Sequence, residues 1–290
     1  MKLKVVIILV LVLAALAIGI VFSDTSDDTN AVFFDTLPWI TIAAAGLGFI
    51  FGVARAILKG KEEISNGEVN RHGGGSFIEH WGTALGIFTL LASGFLLGFL
   101  FFPSIMKTLD TIALSLNIHF IGVVVTLFGG FFFVGDYIFS RKFDRLIPNI
   151  PDIISGFIGK YFLRRKYPYE DKYLASQKVA FLGFAALGGV ILISGAVKVA
   201  AHIWPINADL WAFFTLIHDY FSLFFIFILV VHVLLVIVLR EWPAFISFIT
   251  GKVTEEQAAE DYPVWYKELR TGKRYGYKLF GNKEVSKGEE

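Results

Sequence analysis

The chain has no cysteine, and only 18% of its 290 residues are charged. Without thiols it cannot form disulfides, iron–sulfur clusters, thiolate zinc sites or the covalent links of c-type haem. Soluble domains usually carry about 25% charged residues, so the low charge argues against a soluble enzyme and against a nucleic-acid binder. The sequence is instead 56% hydrophobic, with 31 Phe and a mean hydropathy of +0.66. This composition indicates an integral membrane protein.

Six apolar runs are long enough to cross a bilayer, because a hydrocarbon core of about 30 Å takes about 20 helical residues. The runs are continuous rather than alternating, which favours an all-α protein over a barrel. They are predicted at Val5–Phe22, Trp39–Leu58, Trp81–Phe102, Ile118–Phe139, Val179–Val197 and Trp211–Leu239. The first run has a second interpretation, since Lys2 and Lys4 before it and Ser23-Asp24 after it also describe a signal peptide.

The basic residues predict the orientation of these spans. Of the 26 Lys and Arg residues, all but Lys107 and Lys198 fall on one side of a six-span arrangement. Cytoplasmic loops carry an excess of Lys and Arg. Both termini are therefore expected in the cytoplasm.

Two further segments are expected on the cytoplasmic side. Segment 148–166 places six apolar residues at helical spacing and ends in three basic residues, which predicts an amphipathic helix lying on the cytoplasmic face. The six apolar residues are Ile153, Ile154, Phe157, Ile158, Tyr161 and Phe162. Segment 251–290 is polar and rich in Lys and Glu. It is expected to be a cytoplasmic tail, partly helical around Glu255–Leu269 and disordered at its end.

Four of the six histidines lie at predicted membrane depth: His80, His119, His218 and His232. Ionisable groups inside a bilayer are costly and usually functional, although any one of them alone could be a neutral histidine bonded to a carbonyl. His218 and His232 share the last span, and 14 helical steps return to within about 40° of the same face and climb about 21 Å. One helix therefore offers an imidazole toward each membrane surface.

The predicted topology sorts these histidines into two pairs by depth. His119 and His218 form an outer pair, and His80 and His232 form an inner pair toward the cytoplasm. Two imidazoles facing each other in a helical bundle, twice over, suit two b-type haems. Such haems transfer electrons and do not bind substrate, because both axial positions are filled. Zinc is disfavoured, since it would take three or four ligands at one depth.

Haem propionates need cationic or hydrogen-bonding partners, and four residues are candidates. Lys198 and His202 lie near the outer pair, and Arg55 and Arg71 lie near the inner pair. The alternative for each is a side chain that extends to the membrane interface.

Several motifs carry a resemblance to a known family. They are Phe77-Ile78-Glu79-His80-Trp81 followed by Ser93-Gly94, then His119, the run Lys172–Lys178, Leu216-Ile217-His218, His232, Thr250-Gly251-Lys252-Val253 and Pro263–Leu269. Over residues 71–270 the sequence resembles the cytochrome b (gamma) subunit of membrane-bound formate dehydrogenases, within a group shared with hydrogenase and thiosulfate reductase cytochromes. Leu174 and Ser176 stand where that family typically has Asn and Gly, close to its quinone site.

The resemblance implies a four-helix di-haem cytochrome b bundle over 71–250, with two extra transmembrane helices in 1–60. It implies that the four membrane histidines are the axial ligands of two haem b groups. It also implies a site for menaquinone or ubiquinone beside the inner haem, for which Tyr173 and Gln177 are candidates. Its implied partners are an iron–sulfur subunit on the outer side and a catalytic dehydrogenase subunit, in a prokaryotic cytoplasmic (inner) membrane.

Two other functions remain open at this point. In one, the same cytochrome oxidises quinol and passes electrons to a thiosulfate or polysulfide reductase, or serves a hydrogenase. In the other, the chain is a cofactor-free transporter or scaffold whose histidines form a proton relay. In the leading interpretation the chain transfers electrons within an oxidoreductase complex, and the primary substrate site is on another subunit.

Overall fold

The structure is a computed structural model that describes residues 31–58, 64–238, 242–273, 275–276 and 285–286. The predicted first span, Val5–Phe22, lies outside the described residues. The chain divides into two compact units. Among the described residues, unit 1 comprises 31–58, 75–139 and 187–225, and unit 2 comprises 64–74, 140–186 and the residues from 226 onward.

Helices dominate both units. The α-helices are α1 (Phe33–Thr36), α2 (Trp39–Leu58), α3 (Gly74–Phe77), α4 (Thr83–Leu97), α5 (Leu109–Phe139), α6 (Lys160–Phe162), α7 (Ala175–Ile203), α8 (Ala208–Val238), α9 (Trp242–Thr250), α10 (Glu255–Asp261) and α11 (Pro263–Thr271). Two π-helical segments, Ile78–Gly82 and Asp152–Gly159, and a 3-10 turn, Phe143–Arg145, complete the helical structure of the described residues. The strands are β1 (Ile64–Ser65), β2 (Glu68–Asn70), β3 (Lys252–Thr254), β4 (Tyr275–Gly276) and β5 (Val285–Ser286).

Among the described residues, five helices are long and apolar enough to cross a membrane. They are Trp39–Leu58, Gly74–Leu97, Leu109–Phe139, Ala175–Ile203 and Ala208–Ile237. Each overlaps one of the predicted spans, so five of the six predicted spans are confirmed, although the ends of four of them differ from the prediction.

The predicted span Trp81–Phe102 is wrong at both ends. Its helix begins at Gly74 and stops at Leu97, because Gly98 has a φ of +86° and ends the helical conformation. The chain then reverses in a short turn in which Phe99 and Phe102 exchange backbone hydrogen bonds of 2.9 and 2.8 Å. An apolar run does not reveal such a turn, because its residues are as hydrophobic as those of the helix.

Glycines allow α2 and α5 to pack at close range in unit 1. A Cβ on Gly48 or Gly52 would collide with backbone atoms of Phe128 or Phe132, and a Cβ on Gly135 would collide with the backbone of Phe49. Small residues at such positions let membrane helices approach closely. Helix α2 is therefore an integral part of unit 1.

Unit 2 contains a three-stranded antiparallel sheet that sequence analysis missed. Strands β1 and β2 are joined by Asn66-Gly67, whose φ values of 52° and 73° are typical of the two-residue hairpin turn. Strand β3 pairs with β2, with Val253 opposite Val69. The sheet packs into a core of buried residues that comprises Val69, Leu174, Ala244, Val253, Ala258, Tyr262 and Trp265.

The polar tail expected after Gly251 is folded as far as Thr271. Thr254 and Gln257 form a reciprocal capping box at the start of α10, with hydrogen bonds of 3.1 and 3.2 Å. The predicted helix Glu255–Leu269 is interrupted at Tyr262, where Pro263 begins α11. Much of the predicted disordered end lies outside the described residues.

The predicted amphipathic helix is present as Asp152–Gly159 and α6, and it ends at Phe162 rather than at residue 166. On its inner side, the buried Asp152 carboxylate accepts hydrogen bonds from Lys178 Nζ and Tyr167 Oη, both at 3.0 Å. On its outer side, Ile154 and Ile158 are exposed. The helix therefore has one anchored polar contact and one exposed apolar face.

Candidate functional site

His119 of α5 is held by a serine from the neighbouring helix α4. The fully buried Ser93 hydroxyl donates to its own helix at Thr89 O (2.7 Å), and its oxygen lies 2.9 Å from His119 Nδ1. The Leu90 carbonyl is a further acceptor for the ring. Because the serine proton is bound by a carbonyl, the serine oxygen accepts the proton of Nδ1.

His218 of α8 has the same arrangement with α7. The buried Ser194 hydroxyl donates to Val190 O at 2.8 Å, and its oxygen lies 3.2 Å from His218 Nδ1. The same Nδ1 is 3.2 Å from the Ile191 carbonyl, which can only accept. Nδ1 therefore carries the proton in this ring as well.

Both outer-pair imidazoles thus leave Nε2 with a free lone pair. Neutral imidazole binds haem iron, and a metal-ligating histidine usually donates its other ring N–H to such an acceptor. The two rings lie close enough for their charged forms to repel each other. A Cβ on Gly195 would lie 3.2 Å from His218 Cε1, so this glycine leaves room beside the ring. The donor set therefore fits bis-imidazole ligation of a haem.

The two propionate candidates near the outer pair differ in their surroundings. Lys198 lies one turn after Ser194 on α7, near both imidazoles, and interacts electrostatically with Asp219. His202 is exposed, its Nδ1 lies 2.6 Å from Asp35 Oδ1, and its ring stacks on Phe34. Lys198 is thus the one beside the histidines, whereas His202 is bound by an acidic side chain.

The inner-pair histidines lie in different units. His80 is in unit 1, in the π-helical segment Ile78–Gly82, and its ring meets Trp81 edge-on with 5.0 Å between centroids. Short π-helical turns are frequent at functional sites. His232 is in unit 2 and meets Phe184 edge-on at 5.5 Å. The pairing of His80 with His232 stays a prediction.

Arg55 of α2 joins a buried charged cluster beside His80. Its guanidinium forms an ion pair with Asp136 and contacts Glu79 Oε1 at 3.3 Å and Ser76 Oγ at 3.2 Å. The side chains of Asp136 and Glu79 are only 1% and 6% exposed. Both carboxylates form ion pairs with the Arg55 guanidinium in this structure. Neither was selected as a site residue from the sequence.

Arg71 is buried in unit 2 and bonds to atoms of the chain itself. It donates to Lys172 O, to Ser247 Oγ and to Gln177 Oε1, over distances of 2.6 to 3.1 Å. Its guanidinium also lies 4.1 Å from the centre of the Tyr262 ring. Arg71 therefore links the start of the bundle to the segment that contains the quinone candidates.

The quinone candidates lie in one cluster with Arg71. Gln177 Oε1 accepts hydrogen bonds from Arg71 Nη2 at 3.0 Å and from Leu174 N at 3.2 Å. Tyr173 is buried, and its ring centroid lies 6.1 Å from that of His72. His72, which sequence analysis did not select, is also buried and stacks on Phe248 at 4.1 Å.

A buried carboxyl lies in the same segment of unit 2. Glu170 Oε2 accepts a hydrogen bond from Ala175 N at 2.7 Å, and Lys160 Nζ lies 3.1 Å from Glu170 Oε1. Burial raises the pKa of the Glu170 carboxyl, and the Lys160 charge opposes that rise. A buried carboxyl with a raised pKa is thus present in the segment that leads into α7.

A sequence model of prokaryotic cytochrome b561 matches residues 71–251, which is more than half of the chain and includes all four membrane histidines. The chain belongs to the prokaryotic cytochrome b561 family. A search of curated proteins gives no match. Membership of the cytochrome b561 family makes the chain a multi-pass membrane protein that carries b-type haem and transfers electrons.

The cytochrome b561 match begins after α2, so Arg55 lies outside it. Among the described residues, no three or more His, Asp or Glu side chains come together to hold a metal ion. A haem iron takes only two ligands from the protein, one on each side of the macrocycle. The chemistry of the outer pair thus agrees with the cofactor that the family implies.

In the sequence, Ser93-Gly94 was recognised only as part of a family motif, and Ser194-Gly195 was not singled out. A signal was available, because the Ser-Gly pair occurs in both α4 and α7. The histidine that each serine contacts follows it by 26 residues in one case and by 24 in the other. This repeated spacing marks the two serines as partners of the two histidines.

Proposed function

We propose that this cytochrome is the membrane-anchor subunit of a respiratory dehydrogenase of the formate dehydrogenase type. In this proposal two haem b groups transfer electrons, one ligated by the outer pair and one by the inner pair. The observation that carries it is the matched hydrogen bonding of His119 and His218, each with Nδ1 held by a serine and Nε2 free.

The residues of the chain hold the haems in fixed positions. Ser93 and Ser194 orient the outer-pair rings, and Lys198 lies near both rings, where it would contact a propionate. The same role is proposed for His202, Arg55 and Arg71, each of which contacts other atoms of the chain in this structure. A propionate at these positions would share or replace those partners.

The same hydrogen bonds count against a proton relay in a cofactor-free transporter. A relay through imidazole requires one ring nitrogen to take up a proton while the other releases one. The Ile191 carbonyl and the Ser194 hydroxyl both retain the proton on His218 Nδ1. Metal ligation uses this fixed tautomer directly.

The proposal includes a quinone site in unit 2 at Tyr173 and Gln177, taking menaquinone or ubiquinone. The buried Arg71 and His72 beside them supply polar groups of the kind that fix a ligand in an apolar pocket. We also propose Glu170 as a proton carrier for this site, because it is a buried carboxyl that contacts Lys160 in the same unit and burial raises its pKa.

The proposed partners follow from what this chain lacks. With no cysteine, it depends on a separate iron–sulfur subunit to bring electrons to the outer haem and on a catalytic subunit to oxidise the substrate. The proposed setting is the prokaryotic cytoplasmic membrane, with both termini and the amphipathic helix on the cytoplasmic side.

A spectrum of the purified full-length chain tests this function. Dithionite-reduced minus oxidised difference spectra should show b-type bands, and pyridine haemochrome analysis should give about two haems per chain. A chain that binds no haem when expressed with adequate haem supply would contradict the proposal, and a single haem would contradict its two-centre form.

A further inference from the structure

Arg55 connects the helix outside the family match to the segment that carries His80. It lies in the last turn of α2, and its guanidinium reaches Ser76 Oγ at 3.2 Å and Glu79 Oε1 at 3.3 Å. It also pairs with Asp136 of α5. One side chain therefore fixes three points in unit 1, two of which flank the turn that leads into His80.

The spacing of these contacts explains how Arg55 acts on the turn. Ser76 and Glu79 are three residues apart and so lie on one face of a helix. His80 follows Glu79 directly within the π-helical segment Ile78–Gly82. The Arg55 side chain also occupies the place where a Cβ on Gly75 would lie. Movement of the Arg55 contacts would therefore move the backbone from which the His80 ring projects.

The charges make this arrangement sensitive to Arg55. Glu79 and Asp136 are nearly inaccessible, and Arg55 contacts both carboxylates. Removing one partner of a buried ion pair is far more costly than exchanging the whole pair. Loss of the Arg55 contact would therefore shift the Glu79 carboxylate and, with it, the turn that bears His80.

We propose that Arg55 is a positioning residue for the inner haem, acting through Ser76 and Glu79 on His80. This rests on the proposed function in one respect, that His80 ligates a haem. Helix α2 then belongs to the haem site, rather than being only an additional scaffold or docking surface.

The test compares three variants of the full-length chain. Arg55→Gln removes the guanidinium charge, Arg55→Gln combined with Asp136→Asn removes one charge of each sign, and Arg55→Lys keeps the charge without the fork of donors. Lys252→Gln is the control, because it breaks an exposed ion pair with Glu68. The measurements are haem per chain, the electron paramagnetic resonance spectrum of the low-spin haems, and their midpoint potentials.

Arg55→Gln should lower the content from about two haems per chain to about one, or convert the inner haem to a high-spin form, with the outer haem unchanged. The double variant should recover only part of the second haem, because the cluster regains the net charge of the wild type but Ser76 and Glu79 still lack their contacts with the guanidinium. Arg55→Lys should retain two haems with an altered inner-haem spectrum. Single-haem reference spectra from His119→Ala and His232→Ala assign each signal.

Unaltered haem content, spectrum and potentials in both Arg55→Gln and Arg55→Lys would overturn the inference. So would an equal loss of both haems in Arg55→Lys, since the effect would then not be specific to His80. If Arg55→Gln does not fold, Arg55→Lys and the double variant decide the result. A wild-type chain without haem would instead contradict the proposed function, so the two failures are distinguishable.

Discussion

Ser93 and Ser194 each lie behind an outer-pair imidazole, in a hydrogen-bonding pattern that repeats atom for atom. Each hydroxyl donates to the carbonyl four residues earlier in its helix and faces the Nδ1 of a histidine on another helix. The serine proton is thereby removed from competition for Nδ1, which leaves the ring in one tautomer. The two serines thus fix the tautomer of the histidines that we propose as haem ligands.

The first prediction concerns Ser93→Ala. Changes of this kind behind a metal ligand typically cost about 10–100-fold in metal affinity, and because the Leu90 carbonyl remains, we expect a loss near the lower end for the outer haem. Haem transfer to excess apomyoglobin measures the change. Thr89→Val is the matched control, since it removes a hydroxyl that bonds only one turn earlier on the same helix, to Leu85 O at 2.9 Å. Equal haem retention by both variants would count against the role of Ser93.

At the scale of helices, the packing of α2 against α5 depends on glycines, which have no side chain to separate the two backbones. Gly52 lies against the backbone of Phe132, whereas Gly46 on the same helix has no atom within 4 Å of the place where a Cβ would be. Hydropathy identifies α2 as a span because it averages over a window of residues. Hydropathy does not show which face of α2 meets another helix, because glycines lie both on the face that contacts α5 and on a face that contacts nothing among the described residues.

Gly52→Ala should therefore destabilise the protein, while Gly46→Ala should not. Overpacking a close contact typically costs about 1–3 kcal/mol, and both substitutions gain the same helix propensity, so their difference reports the packing. The thermal unfolding midpoint in detergent gives the comparison. If the two variants unfold at the same temperature, α2 and α5 are not in the close contact described.

A second helix-scale prediction concerns the amphipathic helix that begins at Asp152. Ile158 is 42% exposed and Phe162 is 72% exposed, which suits a helix lying in the membrane interface. Because the chain has no native cysteine, Ile158→Cys can carry a single nitroxide spin label. We expect this label to be relaxed more by oxygen than by a water-soluble nickel chelate in bilayers. A label at Glu260→Cys, on the exposed side of α10, should show the reverse, and equal behaviour at both sites would contradict the placement.

For the molecule as a whole, the sequence predicted six spans, five of which are present among the described residues, and a b-type cytochrome, but it missed much of unit 2. The spans were predictable because lipid imposes a length and a composition on each helix locally. The sheet formed by Val69 and Val253 was not, because its strands lie far apart in the chain, although Asn66-Gly67 is a hairpin signal in its own right. The serine partners of the histidines were missed for the same reason, since each contact joins two helices.

The central claim is that four histidines form two specific haem-binding pairs, and double substitutions test it most directly. His119→Ala combined with His218→Ala removes both ligands of one proposed haem and leaves the other pair intact. His119→Ala combined with His232→Ala removes one ligand from each haem. The two variants lose the same number of histidines, so they differ only in how the losses are distributed between the pairs.

Electron paramagnetic resonance of the two purified variants measures their low-spin haem, and pyridine haemochrome analysis gives the total haem per chain. The proposed pairing predicts about one low-spin b haem in His119→Ala/His218→Ala and no low-spin haem in His119→Ala/His232→Ala. The opposite result, with a low-spin haem retained only when His119 and His232 are replaced, would contradict the pairing.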